Sequence, residues 1–129
     1  YPGLLARRKE IIKRYDDACD ELGVAHLTHY GPDFASSGHL YITRVPRADH
    51  AKRCEIITKM AQRGIACNVH YKPLPMMTAY KNLGWDIKDF PNAYHLFENA
   101  VTLPLHTKLT DEDVDYVIAN WKEVIKETK

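Results

Sequence analysis

No run of apolar residues in this 129-residue chain approaches the ~18 to 20 needed to cross a membrane as a helix. The first residues also lack the basic-then-apolar order of a secretory signal. Cysteine is scarce. Cys19, Cys54 and Cys67 are an odd number with no Cys-x-x-Cys spacing, which argues against a disulfide framework or a thiolate metal site and suits a reducing cytoplasm. With only 6 Gly and 7 Pro against 45% hydrophobic and 27% charged residues, the composition is that of a folded chain rather than a disordered one. Charge of one sign is missing too. Lys plus Arg number 18 and Asp plus Glu 17, so the net charge of +1 supplies no global field for a nucleic-acid backbone or an anionic membrane. There is no phosphate loop, dinucleotide fingerprint, nucleophile elbow or His-Glu-x-x-His, and hence no obvious seat for self-contained catalysis.

What the chain does contain is a series of short periodic segments. Arg8, Ile11, Ile12, Tyr15, Cys19 and Leu22 recur at helical spacing between Leu4 and Leu22, and Gly23 supplies a left-handed stop. Val24 to Leu27 reads as a short strand, His29 to Gly38 as a loop, and His39 to Val45 as a firmer strand ended by Pro46. Asp49 is expected to cap a helix whose stripe is Ala51, Cys54, Ile57 and Ala61, with Gly64 beyond its end. Ile65 to Tyr71 alternates as a strand would, leaving His70 and Tyr71 at its carboxyl end. A short helix around Met77 to Leu83, a second over Asn92 to Asn99 entered through Asp89 and Pro91, and a strand at Val101 to Leu103 follow. Thr110 with Asp111, Glu112 and Asp113 opens the clearest helix, its buried face formed by Val114, Val117, Ile118, Trp121 and Ile125. This order predicts an α+β fold, one small mixed or antiparallel sheet with helices packed mainly on one face, in a single domain over residues 1–129.

Three places draw chemical interest. His26, His29 and His39 lie close together in sequence, but no regular element carries all three, and solvated or hydrogen-bonded imidazoles are the commoner reading. Cys67 and His70 are separated by an odd number on a strand, which points them to opposite faces. The stretch from Asn68 to Pro75 places an imidazole (His70), a phenol (Tyr71) and an ammonium (Lys72) where a strand leaves the sheet. Such a trio suits an anionic or hydroxyl-rich ligand. The plain alternative is a core tyrosine beside a surface His and Lys.

Arg7-Arg8 and Arg14-Tyr15, His39-Leu40-Tyr41, Arg63-Gly64-Ile65, Val69-His70-Tyr71-Lys72-Pro73, Tyr80 with Leu83-Gly84, Pro91-Asn92-Ala93, Leu103-Pro104-Leu105-His106 and Leu109-Thr110-Asp111-Glu112 follow one another in a specific order. Together they resemble the C-terminal domain of the DegT/StrS sugar aminotransferases across essentially the whole chain. The resemblance implies the small domain of the aspartate-aminotransferase fold. It further implies a parent enzyme, usually a homodimer, that uses pyridoxal phosphate (PLP) to move an amino group from glutamate to a keto-sugar on a nucleotide diphosphate, typically for polysaccharide or glycan precursors. His70 and Tyr71 match the family's His-Tyr pair near the sugar nucleotide, and Lys72 joins them as a substrate-binding residue. Many members carry a second His two positions after the motif's Pro, where this sequence has Pro75.

The N-terminal domain that holds the cofactor and its Schiff-base lysine is absent from these residues, so no cofactor is expected on this chain alone. Tyr1-Pro2-Gly3 runs straight into a helix pattern without an initiator Met, as a boundary inside a longer polypeptide would. Leu4 and Leu5 are then expected to be partly exposed. Competing readings are a freestanding metabolite-binding or dimerising module and a His-based metal protein.

Overall fold

The computed structural model describes residues 1–128. Helix α1 (Pro2–Leu22) starts with Pro at its first turn, where the missing amide proton is no loss, and ends at Gly23 with φ of 68°. It buries Ile11, Ile12, Tyr15, Ala18, Cys19 and Leu22, whereas Arg8 on the same stripe is only half-buried and donates to the Ser37 carbonyl at 3.2 Å. Leu4 is exposed and Leu5 half-buried, as expected.

Strands β1 (Ala25–His26), β4 (Tyr41–Arg44) and β5 (Ala100–Leu103) form an antiparallel sheet in the order β1-β4-β5. Tyr41 pairs with Leu103 and Thr43 with Val101, so the inward residues of both strands meet the helices in one core. Between β1 and β4, the expected loop contains a two-residue hairpin, β2 (Tyr30–Gly31) against β3 (Phe34–Ala35).

Helix α5 (Asp111–Glu127) begins with the full reciprocal box. Thr110 Oγ1 accepts from the Asp113 amide at 3.1 Å and the Asp113 carboxylate accepts from the Thr110 amide at 2.9 Å. Its buried face is Val114, Val117, Trp121, Val124 and Ile125, with Ile118 half-buried. Arg7 reaches Asp111 at 2.8 Å and the Leu109 carbonyl at 2.8 Å, and Arg14 pairs with Asp111 and Asp115, so these arginines tie α1 to the start of α5.

Helix α2 (His50–Gln62) is capped by Asp49, which accepts from the Lys52 amide at 2.8 Å. Its stripe is not the expected one. Arg53, Ile56 and Met60 are buried while Ala51, Cys54 and Ala61 are exposed, a shift of one position or about 100° round the helix. The cause is Arg53, whose guanidinium lies 4.7 Å from the Phe97 ring centre and whose stem is packed inward.

The strand expected over Ile65 to Tyr71 is also corrected. Only Asn68 pairs, exchanging bonds of 3.2 and 2.8 Å with Thr102 on β5. The Ile65 amide is taken by the Met60 carbonyl at the end of α2 and the Val69 amide by the Asn68 side chain at 2.7 Å, and opposite Ala66 in this register stands Pro104, which has no amide hydrogen to continue the ladder. The chain then makes a 3-10 turn at Leu74–Met76, helix α3 (Thr78–Asn82), a second 3-10 turn at Ile87–Asp89 and helix α4 (Pro91–Glu98). Asp89 does not cap α4. It belongs to the preceding turn, which Asp86 caps instead.

Candidate functional site

Thr102 sits in the middle of β5 with its amide and carbonyl committed to Asn68. That bridge delivers His70 to the same place, and its Nδ1 lies 3.0 Å from the Thr102 hydroxyl. With the hydroxyl donating to Nδ1, the proton of the neutral ring sits on Nε2, which has no protein partner among the described residues. Tyr71 meets His70 edge-on, with ring centres 4.7 Å apart and planes at 84°, and is 70% exposed. This disposes of the alternative of a core tyrosine. Lys72 is exposed beside it, with no carboxylate partner among the described residues. His70 and Tyr71 are therefore brought into contact, with Lys72 next to them along the chain, as an exposed shelf rather than a pocket.

Clefts lie elsewhere. One of about 380 Å³ runs between Arg44, Arg47, His95 and Asn99, and another of about 510 Å³ between Val45, Arg47, Lys52 and Ile125. Neither has His70, Tyr71 or Lys72 in its wall. The carboxylates of the first are already used, Asp49 in capping α2 and Glu98 on His95 at 2.7 Å.

The histidine trio is not a metal centre, and among the described residues no group of His, Cys, Asp and Glu could hold a metal ion. His26 is gripped by Asp16 at 3.0 Å and Asp20 at 3.1 Å, while Asp16 also accepts from the buried Tyr41 hydroxyl at 2.7 Å. Burial works to lower the pKa of His26, but the Asp20 hydrogen bond, the Leu27 carbonyl and the two acidic charges outweigh it, and the net shift is upward. His29 is buried, stacked on Tyr41 and bonded through Nδ1 to Ser36 at 3.1 Å, and burial lowers its pKa. His39 is exposed and takes no part. Burial pushes the Cys19 thiol up to about 11 and that of Cys67 to about 12, so neither is a ready nucleophile.

Asn68 and Thr102, which hold His70, were not foreseen as positioning residues. The available signal was a polar residue alternating with Val101 and Leu103 on a strand otherwise committed to the core.

The profile of the DegT/DnrJ/EryC1/StrS aminotransferase family matches residues 2–122. The chain belongs to this family. Spr1654 of Streptococcus pneumoniae, assigned as a sugar aminotransferase and solved in PMP and PLP forms, is 53% identical and superposes with a TM-score of 0.96 over 100% of this chain. That match covers 32% of Spr1654 in its PMP form. Among curated family members, the spore coat polysaccharide biosynthesis protein SpsC of Bacillus subtilis is 31% identical over 93% of this chain and 32% of its own length. The dTDP-4-dehydro-2,3,6-trideoxy-D-glucose 4-aminotransferase of Saccharopolyspora spinosa is 29% identical over 97% of this chain and 31% of its own. The chain thus spans about a third of the length of the family members it matches. The α+β arrangement with a small antiparallel sheet is that of its aminotransferase neighbours. No described helix is long and apolar enough to cross a membrane.

Proposed function

We propose that these residues form the C-terminal, substrate-side domain of a PLP-dependent aminotransferase acting on a nucleotide-linked keto-sugar, with glutamate as the amino donor. The observation that carries this reading is the fit of the whole chain, at 53% identity and a TM-score of 0.96, to one third of a sugar aminotransferase. The exposed shelf is its local support. Lys72 and the free His70 nitrogen can donate to phosphate or carboxylate oxygens, and the Tyr71 ring offers a flat apolar face to a base or sugar. An open shelf encloses little of a ligand, so a second polypeptide surface has to complete the site.

The described residues do not fit the cofactor itself. A Schiff-base lysine needs an enclosed position that holds its amine neutral, and no lysine among them is buried. The cofactor and its lysine therefore belong to a domain outside these residues, and the fold described here is one domain of the working enzyme.

The full-length polypeptide encoded around this sequence is expected to trap PLP on one lysine outside residues 1–129 upon borohydride reduction, and to aminate a nucleotide-linked keto-sugar. In that protein Tyr71→Ala should raise KM for the sugar substrate at least ~10-fold, about 1.4 kcal/mol, with a smaller effect on kcat. Trapping at a lysine within the 129 residues, or an unchanged KM, would overturn the assignment.

A further inference from the structure

Thr102 is 5% exposed, and its hydroxyl makes one hydrogen bond among the described residues, the 3.0 Å contact with His70 Nδ1. Val101 and Leu103 point into the core, so Thr102 faces the other side of the sheet. No other acceptor among the described residues takes its proton. Ile42 across the ladder offers only hydrocarbon, and the Asn68 side-chain oxygen is already held by the Val69 amide at 2.7 Å. Thr43, the other buried threonine of the sheet, donates instead to the Val101 carbonyl at 2.8 Å. For Thr102 an imidazole nitrogen stands in that carbonyl's place.

One contact then allows two arrangements. If Nδ1 carried the ring proton and donated it, the Thr102 hydroxyl proton would be stranded in a buried position and bear the full cost of desolvation. With the hydroxyl donating, both groups are satisfied and the ring proton lies on the unpartnered Nε2. A neutral ring held in this way has no free lone pair, since Nδ1 is taken by the hydroxyl and Nε2 is protonated. We propose that Thr102 is a positioning residue of the sugar-nucleotide site, whose hydroxyl fixes His70 as a hydrogen-bond donor to a phosphate or sugar oxygen and keeps the neutral ring from serving as a base. Lys72 beside it can likewise only donate, so the two select ligands rich in acceptor oxygens. This rests on the functional reading above in taking the shelf as part of a ligand site.

The test uses the full-length protein with isotope-labelled histidine at about pH 8.5, above the ordinary titration range of imidazoles. Long-range proton–nitrogen spectra separate the two neutral tautomers, and the His70 signals are those lost in His70→Gln. The wild type is expected to hold the Nε2–H form in at least ~10-fold excess, with the His70 nitrogens shifting on addition of inorganic pyrophosphate. In Thr102→Val the half-buried ring is released to water, so a measurable share of the Nδ1–H form should appear and the Kd for pyrophosphate should rise at least ~5-fold. Thr102→Ser keeps the hydroxyl and should restore the wild-type spectrum, with a Kd within ~2-fold. The wild-type spectrum decides the tautomer even where the valine variant does not fold. An Nδ1–H ring in the wild type, His70 nitrogens unmoved by pyrophosphate, or a Kd indifferent to Thr102→Val would overturn the proposal. A protein that meets every expectation but traps no PLP on a lysine defeats the functional reading and leaves the hold of Thr102 on an anion-binding His70 standing. PLP trapping in a protein with an Nδ1–H ring defeats the role of Thr102 alone.

Discussion

The helix layer of α1, α2 and α5 and the excursion between Tyr71 and Leu96 use similar residue types to different ends. In the layer, Trp121 is 1% exposed and Tyr15 is fully buried with its hydroxyl on the Pro104 carbonyl, as is Tyr41 of β4 against it, with its hydroxyl on Asp16. In the excursion Trp85 and Tyr71 are more than half exposed and their backbone is held only by local turns. Apolar side chains in the layer stabilise the chain by leaving water on folding. Those of the excursion remain in water, so whatever they contribute is realised on association. The two regions should accordingly respond differently to substitution.

The largest effect is expected at the centre of the layer. Trp121→Ala should cost about 3 to 5 kcal/mol, because it removes a large buried ring and leaves a cavity among Val117, Val124 and Cys19. Urea denaturation monitored by circular dichroism gives the number, and a loss below about 1 kcal/mol would mean that the core is less tightly packed than described. Asp16→Ala comes next, at about 1 to 3 kcal/mol, since it strands the hydroxyl of Tyr41. Adding Tyr41→Phe removes the orphaned group and should recover part of that loss. A double variant worse than the sum of the two single changes would refute the pairing.

A smaller and pH-dependent effect is expected from His26. Its folded pKa is raised, so its contribution is complete below the ordinary value near 6.5 and is lost as pH rises through the folded value. His29 works in the other sense. Its lowered folded pKa favours the neutral ring, and that contribution is lost as pH falls below the ordinary value through the folded one. The deficit of His26→Gln against wild type should therefore shrink between about pH 5.5 and about pH 8.5, read from urea midpoints. A deficit that grows with pH would reverse the assignment. Least of all should be Leu83→Ser, which is expected within about 0.5 kcal/mol of wild type in the 129-residue chain despite deleting a large apolar group. A cost of several kcal/mol there would erase the distinction between the two regions.

The layer was readable from the sequence because its signals are local. Thr110 and the three acids after it announce α5, and Gly23 ends α1, since both depend on backbone groups within one turn. Helix α2 shows where pattern reading fails. Its true stripe includes Arg53, which a hydrophobic pattern treats as solvated, and only the distant Phe97 reveals that this side chain is buried. At the shelf, the residue types of His70, Tyr71 and Lys72 were visible, but their support was not. Asn68 meets Thr102 through backbone groups and His70 meets the Thr102 hydroxyl, contacts across more than thirty positions that leave no spacing to detect. The alternation from Ile65 to Tyr71 is real, yet an alternating pattern says nothing about the residues it would face, and Ala66 would face Pro104, which has no amide hydrogen.

The single bridge at Asn68 has a bearing on solubility. The outward backbone groups of an antiparallel edge strand belong to every second residue, which on β5 means Ala100 and Thr102. Asn68 consumes both groups of Thr102, and Pro104 follows with no amide hydrogen to offer. Across the sheet the opposite edge, β1, is only two residues long. A stray chain seeking to add itself as a further strand thus finds no run of free donors and acceptors on either side, which guards a small open sheet against aggregation.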